Sequence, residues 1–470
     1  MHCHLHLLFM VIIFTSNPVL SEDKFIGDDI SNQADQTFSF FKKWSCTSEN
    51  EAPDCSSKDI DKIDIPLVFN SGNAIKFAHN KIEELYNPFY DNHNIIEIDF
   101  STNKLNSITE NVFANLSAVE KVDLSHNSLW TFDSETFSSM TNLQSLDLSF
   151  NGFSIIGPEI FSKLQKVKKL SLRNNNFHII QDDTFEHLLA LEELDLGDNQ
   201  LSELPDQLFR YNLNLRLLCL SGNDFKKVPT EALAGIPRLY RLDLSRNKFV
   251  RLRYPAFKKL SSVNVLRLDD QPDLRSIGPQ SFQGMDNLAY FYASNNDNLR
   301  FVDPKAFYDN TTDKPVQLQT FIFRHNSVTT MSGKLLDWDK LYEIDLTGNP
   351  WNCDCHLDWI IQVQIRDHLK PNLVCKHPTY LKDFQIFNMT SDQFKCSFLF
   401  NHEFTIIGTV LLIITISMIM VVFLYVIVKL LPCPKLRNPW RRSYGYSKVK
   451  VSRNGKNYDL EWDPALGDPK

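Results

Sequence analysis

Glycine is scarce in this chain, 15 of 470 residues, while phenylalanine reaches 35. With 43% apolar and 23% charged residues, the composition excludes a collagenous or disordered protein and calls for a folded body. Also missing are a Ser/His/Asp set, an HExxH sequence, a P-loop and a paired-carboxylate motif, and the 13 histidines are scattered. The reading is therefore not an enzyme, with no cofactor and no metal site. A net charge of -8 argues against nucleic-acid partners. The cysteines number nine, so they cannot all pair within one chain.

Two apolar segments set the expected topology. Leu5 to Phe14 is followed by Val19-Leu20-Ser21, which reads as a signal peptide cut before Glu22. The leading segment has no Lys or Arg, so a retained anchor is the alternative. Phe404 to Val428 runs without a charge, and as a helix it would span about 37 Å against a hydrocarbon core of about 30 Å. Nine Lys or Arg and no acid follow between Lys429 and Lys456, whereas residues 385–403 hold only Lys395. The positive-inside rule then predicts a single-pass type I protein of the plasma membrane with its N-terminus extracellular. Divided at Lys429, the charge is +6 in the tail and -14 in the remainder.

Between these segments lies a repeat. Asn80, Asn103, Asn127, Asn151, Asn175, Asn199, Asn223 and Asn247 recur every 23 or 24 residues, and the frame continues through Gln271, Asn296, Asn326 and Asn349. Leu143-x-x-Leu146-x-Leu148-x-x-Asn151-x-Phe153 shows the pattern around each. Leu146 and Leu148 share one face of a short strand, so they stack on their counterparts in adjacent turns. The Asn amide both donates to and accepts from backbone that would otherwise be buried unpaired. Phe89, Phe113, Phe137, Phe161, Phe185, Phe209, Phe257, Phe282 and Phe307 form a second column, with Leu233 replacing Phe once. Their period equals that of the leucines, so they read as a core spine on the convex side.

In these motifs the chain resembles the extracellular leucine-rich-repeat family. The resemblance implies an α/β repeat fold: a leucine-rich-repeat solenoid with a parallel concave β-sheet and disulfide-bonded caps, here joined to one transmembrane helix. Asn349-Pro350-Trp351-Asn352-Cys353-Asp354-Cys355, followed by Cys375 and Cys396, resembles the family's cysteine-rich C-terminal cap. The resemblance implies Cys353–Cys375 and Cys355–Cys396 bridges; a zinc site is the rival reading of the four. Cys46 and Cys55 look like a reduced N-terminal cap with one bridge, where the family commonly has four cysteines. Cys219 lies between Leu218 and Leu220 and should face outward from the sheet, free or bridging a partner. The predicted organisation is a signal peptide (1–21), a flexible N-terminal segment (22–43), an N-terminal cap (44–64), about twelve repeats (65–351), a C-terminal cap (352–396), a transmembrane helix (404–428) and a cytoplasmic tail (429–470).

Function is expected on exposed strand positions, because the periodic residues are committed to the core. Asp99, Asp123, Asp147, Asp195, Asp243 and Asp345 share one such position and read as solvated or loop-bonding rather than as metal ligands. Arg216, Tyr240, Arg241, Arg267, Tyr290, Tyr292, Arg324 and Tyr342 fall on later strands or their exits. Arg and Tyr are enriched in interface hot spots, so these eight form the predicted protein-binding patch. Asn115, Asn310 and Asn388 begin glycosylation sequons. Cys433 is a palmitoylation candidate at the membrane edge. The 42 residues from Lys429 are too few for a Toll-type signalling domain.

The expected role is a cell-surface recognition or adhesion receptor for an extracellular protein ligand. The alternatives are an innate immune receptor or co-receptor using a partner chain, and an auxiliary channel or receptor subunit contacting through Gly408, Thr409, Thr415 and Ser417. Homo-oligomer and co-receptor arrangements both fit.

Overall fold

The computed structural model describes residues 35–49, 52–69, 72–91, 95–309, 313–396, 402–430, 450–453 and 456–459. The chain divides into two compact units, Met1–Cys396 and Ser397–Lys470. The expected signal peptide, the Asn310 sequon and Cys433 lie outside the described residues.

The first unit is built on a 14-stranded sheet whose spatial order follows the sequence. A hairpin of β1 (Thr47–Glu49) and β2 (Ala52–Asp54) opens it. Twelve parallel strands follow: β3 (Ala74–Lys76), β4 (Glu97–Asp99), β5 (Lys121–Asp123), β6 (Ser145–Asp147), β7 (Lys169–Ser171), β8 (Glu193–Asp195), β9 (Leu217–Cys219), β10 (Arg241–Asp243), β11 (Val265–Arg267), β12 (Tyr290–Tyr292), β13 (Thr320–Ile322) and β14 (Glu343–Asp345). Each pairs residue for residue with the next, so Leu146 faces Leu170, Leu170 faces Leu194 and Leu194 faces Leu218. The middle residue of every repeat strand, from Ile75 to Ile344, is buried. The predicted parallel solenoid is thus present, with one strand per repeat.

The ladder asparagines hold this register. The buried Asn199 amide donates to the carbonyls of Leu172 (3.0 Å), Leu196 (3.1 Å) and Gly197 (3.0 Å), while its Oδ1 accepts the Phe177 N–H at 3.2 Å. Leaving a buried backbone group unpaired costs about 1–3 kcal/mol, and one amide serving two turns avoids that cost in both. Gln271 does the same work with a longer arm, donating to the Leu244 carbonyl at 2.7 Å and accepting from the Asn247 N–H at 3.2 Å. The phenylalanine spine lies behind the sheet, with rings 6.2 Å apart at Phe113–Phe137, 6.3 Å at Phe185–Phe209 and 4.4 Å at Phe282–Phe307. Burial of each such ring stabilises by roughly 1.5–3 kcal/mol.

The scarcity of glycine has a structural counterpart. The residue before each ladder position adopts a left-handed backbone, and most turns use a non-glycine there: His79, Thr102, His126, Phe150, Asn174, Asp198, Arg246, Asp270, Asn295 and His325. Gly222 and Gly348 are the exceptions, with φ of 68° and 73°. The aspartate column prepares this bend. Asp99, Asp123, Asp147, Asp195, Asp243 and Asp345 each accept the backbone N–H two residues on, at 2.7–3.0 Å. They belong to the turn, as the loop-bonding reading expected.

Both ends of the core are covered. Residues 35–43 form a helix, which corrects the expectation of a flexible segment through residue 43. Phe40 is buried 6.3 Å from the Phe77 ring, and Thr37 Oγ1 accepts the Val68 N–H at 3.0 Å. The open end of an apolar core is what draws this helix in. At the other end Trp351 is fully buried and donates to the Leu346 carbonyl at 3.1 Å, and Trp359 stacks on Trp338 at 4.5 Å. Disulfides join Cys46 to Cys55, Cys353 to Cys375 and Cys355 to Cys396.

In the second unit a helix runs from His402 to Leu430, longer at both ends than the expected 404–428. Its stretch Gly408–Ile427 is long and apolar enough to cross a membrane, and 20 residues rise about 30 Å. The Thr415 and Ser417 hydroxyls donate to the Leu412 and Ile414 carbonyls of the same helix. Lys450–Arg453 and Lys456–Asp459 form an antiparallel pair.

Candidate functional site

The strands alternate, so the face opposite the leucines carries the first and third residue of each strand. Its third-residue column reads Asp99, Asp123, Asp147, Ser171, Asp195, Cys219, Asp243, Arg267 and Tyr292 in successive turns. Over β6 to β10 this face forms an open cavity of about 490 Å³, walled by Lys169 and Glu193 on one side and by Asp147, Asp195, Cys219 and Asp243 on the other. Lys169 pairs with Glu193 at 2.9 Å. In the adjoining turn burial lifts the Asp123 pKa, and the negative charges of Asp147 and Asp99 add to it.

An ion cluster edges the cavity. Arg173 binds Asp195 at 3.4 Å and also grips Asp198. Asp198 reaches across Gly222 to Arg246 at 2.6 Å, and Arg246 in turn donates to Ser221 Oγ at 3.4 Å. Glycine at 222 makes the crossing feasible, since a Cβ there would collide with the Asp198 carboxylate. Burial opposes the Arg173 charge, but Asp195 and Asp198 outweigh it and raise the pKa. Cys219 sits beside this cluster, half-buried and free, with its sulfur 3.3 Å from Ser221 Oγ. Burial, reinforced by Asp195, pushes its thiol up to about 11. The site is thus stocked with fixed charges and holds its thiol protonated.

The eight sequence-predicted residues line the same face further along, strung over several turns rather than gathered in one cluster. Arg216 and Tyr240 precede β9 and β10, and both are exposed, as is Arg241. Only Arg241 of the eight reaches the cavity. The Arg267 guanidinium lies 5.1 Å from the Tyr292 ring and pairs with Asp269 at 2.8 Å. Burial and Glu343 raise the Tyr292 pKa. Tyr290 donates to Gln319 at 3.0 Å. Arg324 stands 4.0 Å from Asp345. Tyr342 is 83% exposed, with the Arg366 guanidinium 5.9 Å from its ring.

Sequence reasoning missed Arg173, Asp198 and Arg246. Arg173 occupies a position where neighbouring turns have Ser101, Ser125 and Ser149, and that departure was the readable signal. One group of metal-type side chains occurs among the described residues, Cys355, His356 and Cys396. Its two sulfurs are bonded to each other, which removes them as thiolate ligands. Asn115 and Asn388 are exposed, so both sequons are accessible.

Known proteins share this repeat. The model of the BspA-type leucine-rich repeat region matches residues 83–216 and 133–264, and a second leucine-rich-repeat model matches 237–297. A phospholipase A2 inhibitor of Gloydius brevicaudus siniticus is 34% identical over 70 residues, 14% of this chain and 21% of that protein. The NT-3 growth factor receptor of Gallus gallus is 25% identical over 103 residues, 22% of this chain and 11% of the receptor. The chain therefore spans about a fifth or less of these relatives' length. Among solved structures, the Drosophila Toll–Spatzle complex aligns at 20% identity with a TM-score of 0.49, over 70% of this chain and 55% of that one. The TLR13–ssRNA13 complex aligns at 21% identity with a TM-score of 0.47, over 67% and 51%. Matched repeat models and twelve strands in register give this chain the fold of a leucine-rich-repeat solenoid.

Proposed function

We propose that the chain is a membrane-anchored receptor-type protein that binds an extracellular protein ligand on the exposed face of its sheet. The observation that carries this reading is the division of labour across the strands. One face is wholly consumed by buried core, while the other presents Arg216, Tyr240, Arg241, Arg267, Tyr290, Tyr292, Arg324 and Tyr342 beside a charged cavity. Large rigid side chains with polar tips supply contact area at low entropic cost. The apolar helix supports an anchor, and the basic residues after it support a type I orientation in the plasma membrane. Disulfides in both caps suit an extracellular body, and the accessible Asn115 and Asn388 suit glycosylation.

The test is a binding screen of the full chain in detergent against cell-surface and secreted proteins, with a cell-aggregation assay beside it. Aggregation of expressing cells supports homophilic adhesion; a defined soluble ligand supports a receptor. Charge reversal at Arg241 and Arg267 is expected to abolish either, and unchanged binding would remove the sheet face from the account.

A further inference from the structure

A second, chemically different surface lies away from the sheet face, beside a small three-stranded sheet of Arg251–Leu252, Ser276–Ile277 and Phe301–Val302. Here two consecutive turns enclose a groove of about 450 Å³. Its charged lining comprises Lys226, Lys227, Arg251, Arg253 and Lys258, together with Lys259 and Glu231. Lys259 is committed to Glu231 at 2.8 Å. None of the other five cations has a carboxylate within ion-pair distance among the described residues, and all five are exposed. Beyond the groove, Arg275 N–H donates to the Val250 carbonyl at 2.9 Å and Arg300 N–H to the Arg275 carbonyl at 3.1 Å, which sets two further exposed arginines one turn apart, in the strand position next to that of Arg251, whose own partners in register are Ser276 and Phe301.

Five uncompensated cations on a chain of net charge -8 are a local reversal of sign. Holding like charges together costs energy unless a partner of opposite charge recovers it. Five cations spread over two adjacent turns, about 4.8 Å apart, suit the repeated charges of a polyanion better than a single small anion. We propose that this groove binds a linear sulfated polysaccharide, its sulfates seated on Lys226, Lys227, Arg251, Arg253 and Lys258. Three disulfides assign this unit to an oxidising compartment, where nucleic acid is not the polyanion at hand. The groove is recessed, which suits a chain better than the flat surface of an anionic membrane. The site is independent of the sheet face and of the reading given to it.

The experiment uses the full chain in neutral detergent on immobilised heparin, at ionic strength of about 0.15 M, where long-range attraction is largely screened. Heparin is expected to bind, with affinity falling as salt rises, and desulfated heparin to bind weakly or not at all. Arg251→Glu with Arg253→Glu should lower heparin affinity by about tenfold or more, in the manner of lost phosphate contacts. The milder Lys226→Gln with Lys227→Gln, whose fold is checked by far-UV circular dichroism, should lower it less. Arg241→Glu on the sheet face should leave it intact. Heparin affinity indifferent to both groove variants would overturn the site. Single-stranded RNA or phosphatidylserine vesicles binding through these residues more tightly than heparin would overturn the occupant.

Discussion

Replacing Gly222 by alanine tests whether Asp198 holds Arg173 and Arg246 together across an empty slot. Two separable costs are expected. The backbone at 222 has φ of 68°, and an L-residue there costs about 1–2 kcal/mol. The added Cβ also displaces the Asp198 carboxylate, which loses Arg173 and Arg246. Arg173 and Arg246 are 31% and 44% exposed at their side chains, so each ion pair is discounted to roughly 0.2–1 kcal/mol. Gly222→Ala should therefore destabilise by about 1.5–4 kcal/mol. In an Asp198→Ala background there is no carboxylate to displace, and the same substitution should cost only the backbone strain and the close approach to the residue-198 backbone, without the loss of the ion pairs. Urea unfolding of the four proteins of this cycle, with linear extrapolation, gives the coupling directly. Equal costs in the two backgrounds, within about 0.3 kcal/mol, would refute the slot.

Other outcomes follow from the same geometry. Cys219, with its pKa up at about 11, should alkylate with iodoacetamide at pH 8 about 100-fold more slowly than a thiol at 9.0, because the thiolate is the nucleophile. A rate equal to that of an unfolded control would contradict the burial. Asp123 has a raised folded pKa, so the native state holds its proton more tightly than the unfolded chain, and its contribution to stability falls as pH rises from the unfolded value of 3.8 through the folded one. Asp123→Asn keeps an acceptor for the Ser125 N–H and removes the charge. The variant's melting temperature relative to the parent should climb between about pH 3 and pH 7, and a flat difference would show that the carboxylate carries no such penalty.

Much of the architecture was legible because each turn makes the same demand of its residues. A leucine at 146, 170 or 194 meets the same neighbours one turn away, and an asparagine at 151, 175 or 199 serves the same carbonyls. Features that depend on a single place in the solenoid left no period to read. The helix over residues 35–43 acquires meaning only where Phe77 would otherwise end the core in solvent. The left-handed column repeats a backbone conformation rather than a residue type, so His126, Phe150 and Asn174 conceal what they share. Arg173 and Arg246 are 73 positions apart and meet only through Asp198, a link no local pattern reveals. The basic groove escaped for a related reason. Lys226-Lys227 and Arg251-x-Arg253 look like solvated surface until two turns set them face to face.

The most direct test of the proposed function begins with a partner identified in the binding screen. Its affinity would be measured by surface plasmon resonance for the full chain and for Arg241→Glu with Arg267→Glu, alongside Arg251→Glu with Arg253→Glu in the side groove. Binding through the sheet face predicts that the first pair loses affinity by about a hundredfold or more, hot-spot residues each contributing about 2 kcal/mol, while the groove pair binds as the parent does. Parent-like affinity of the Arg241/Arg267 variant would contradict the account.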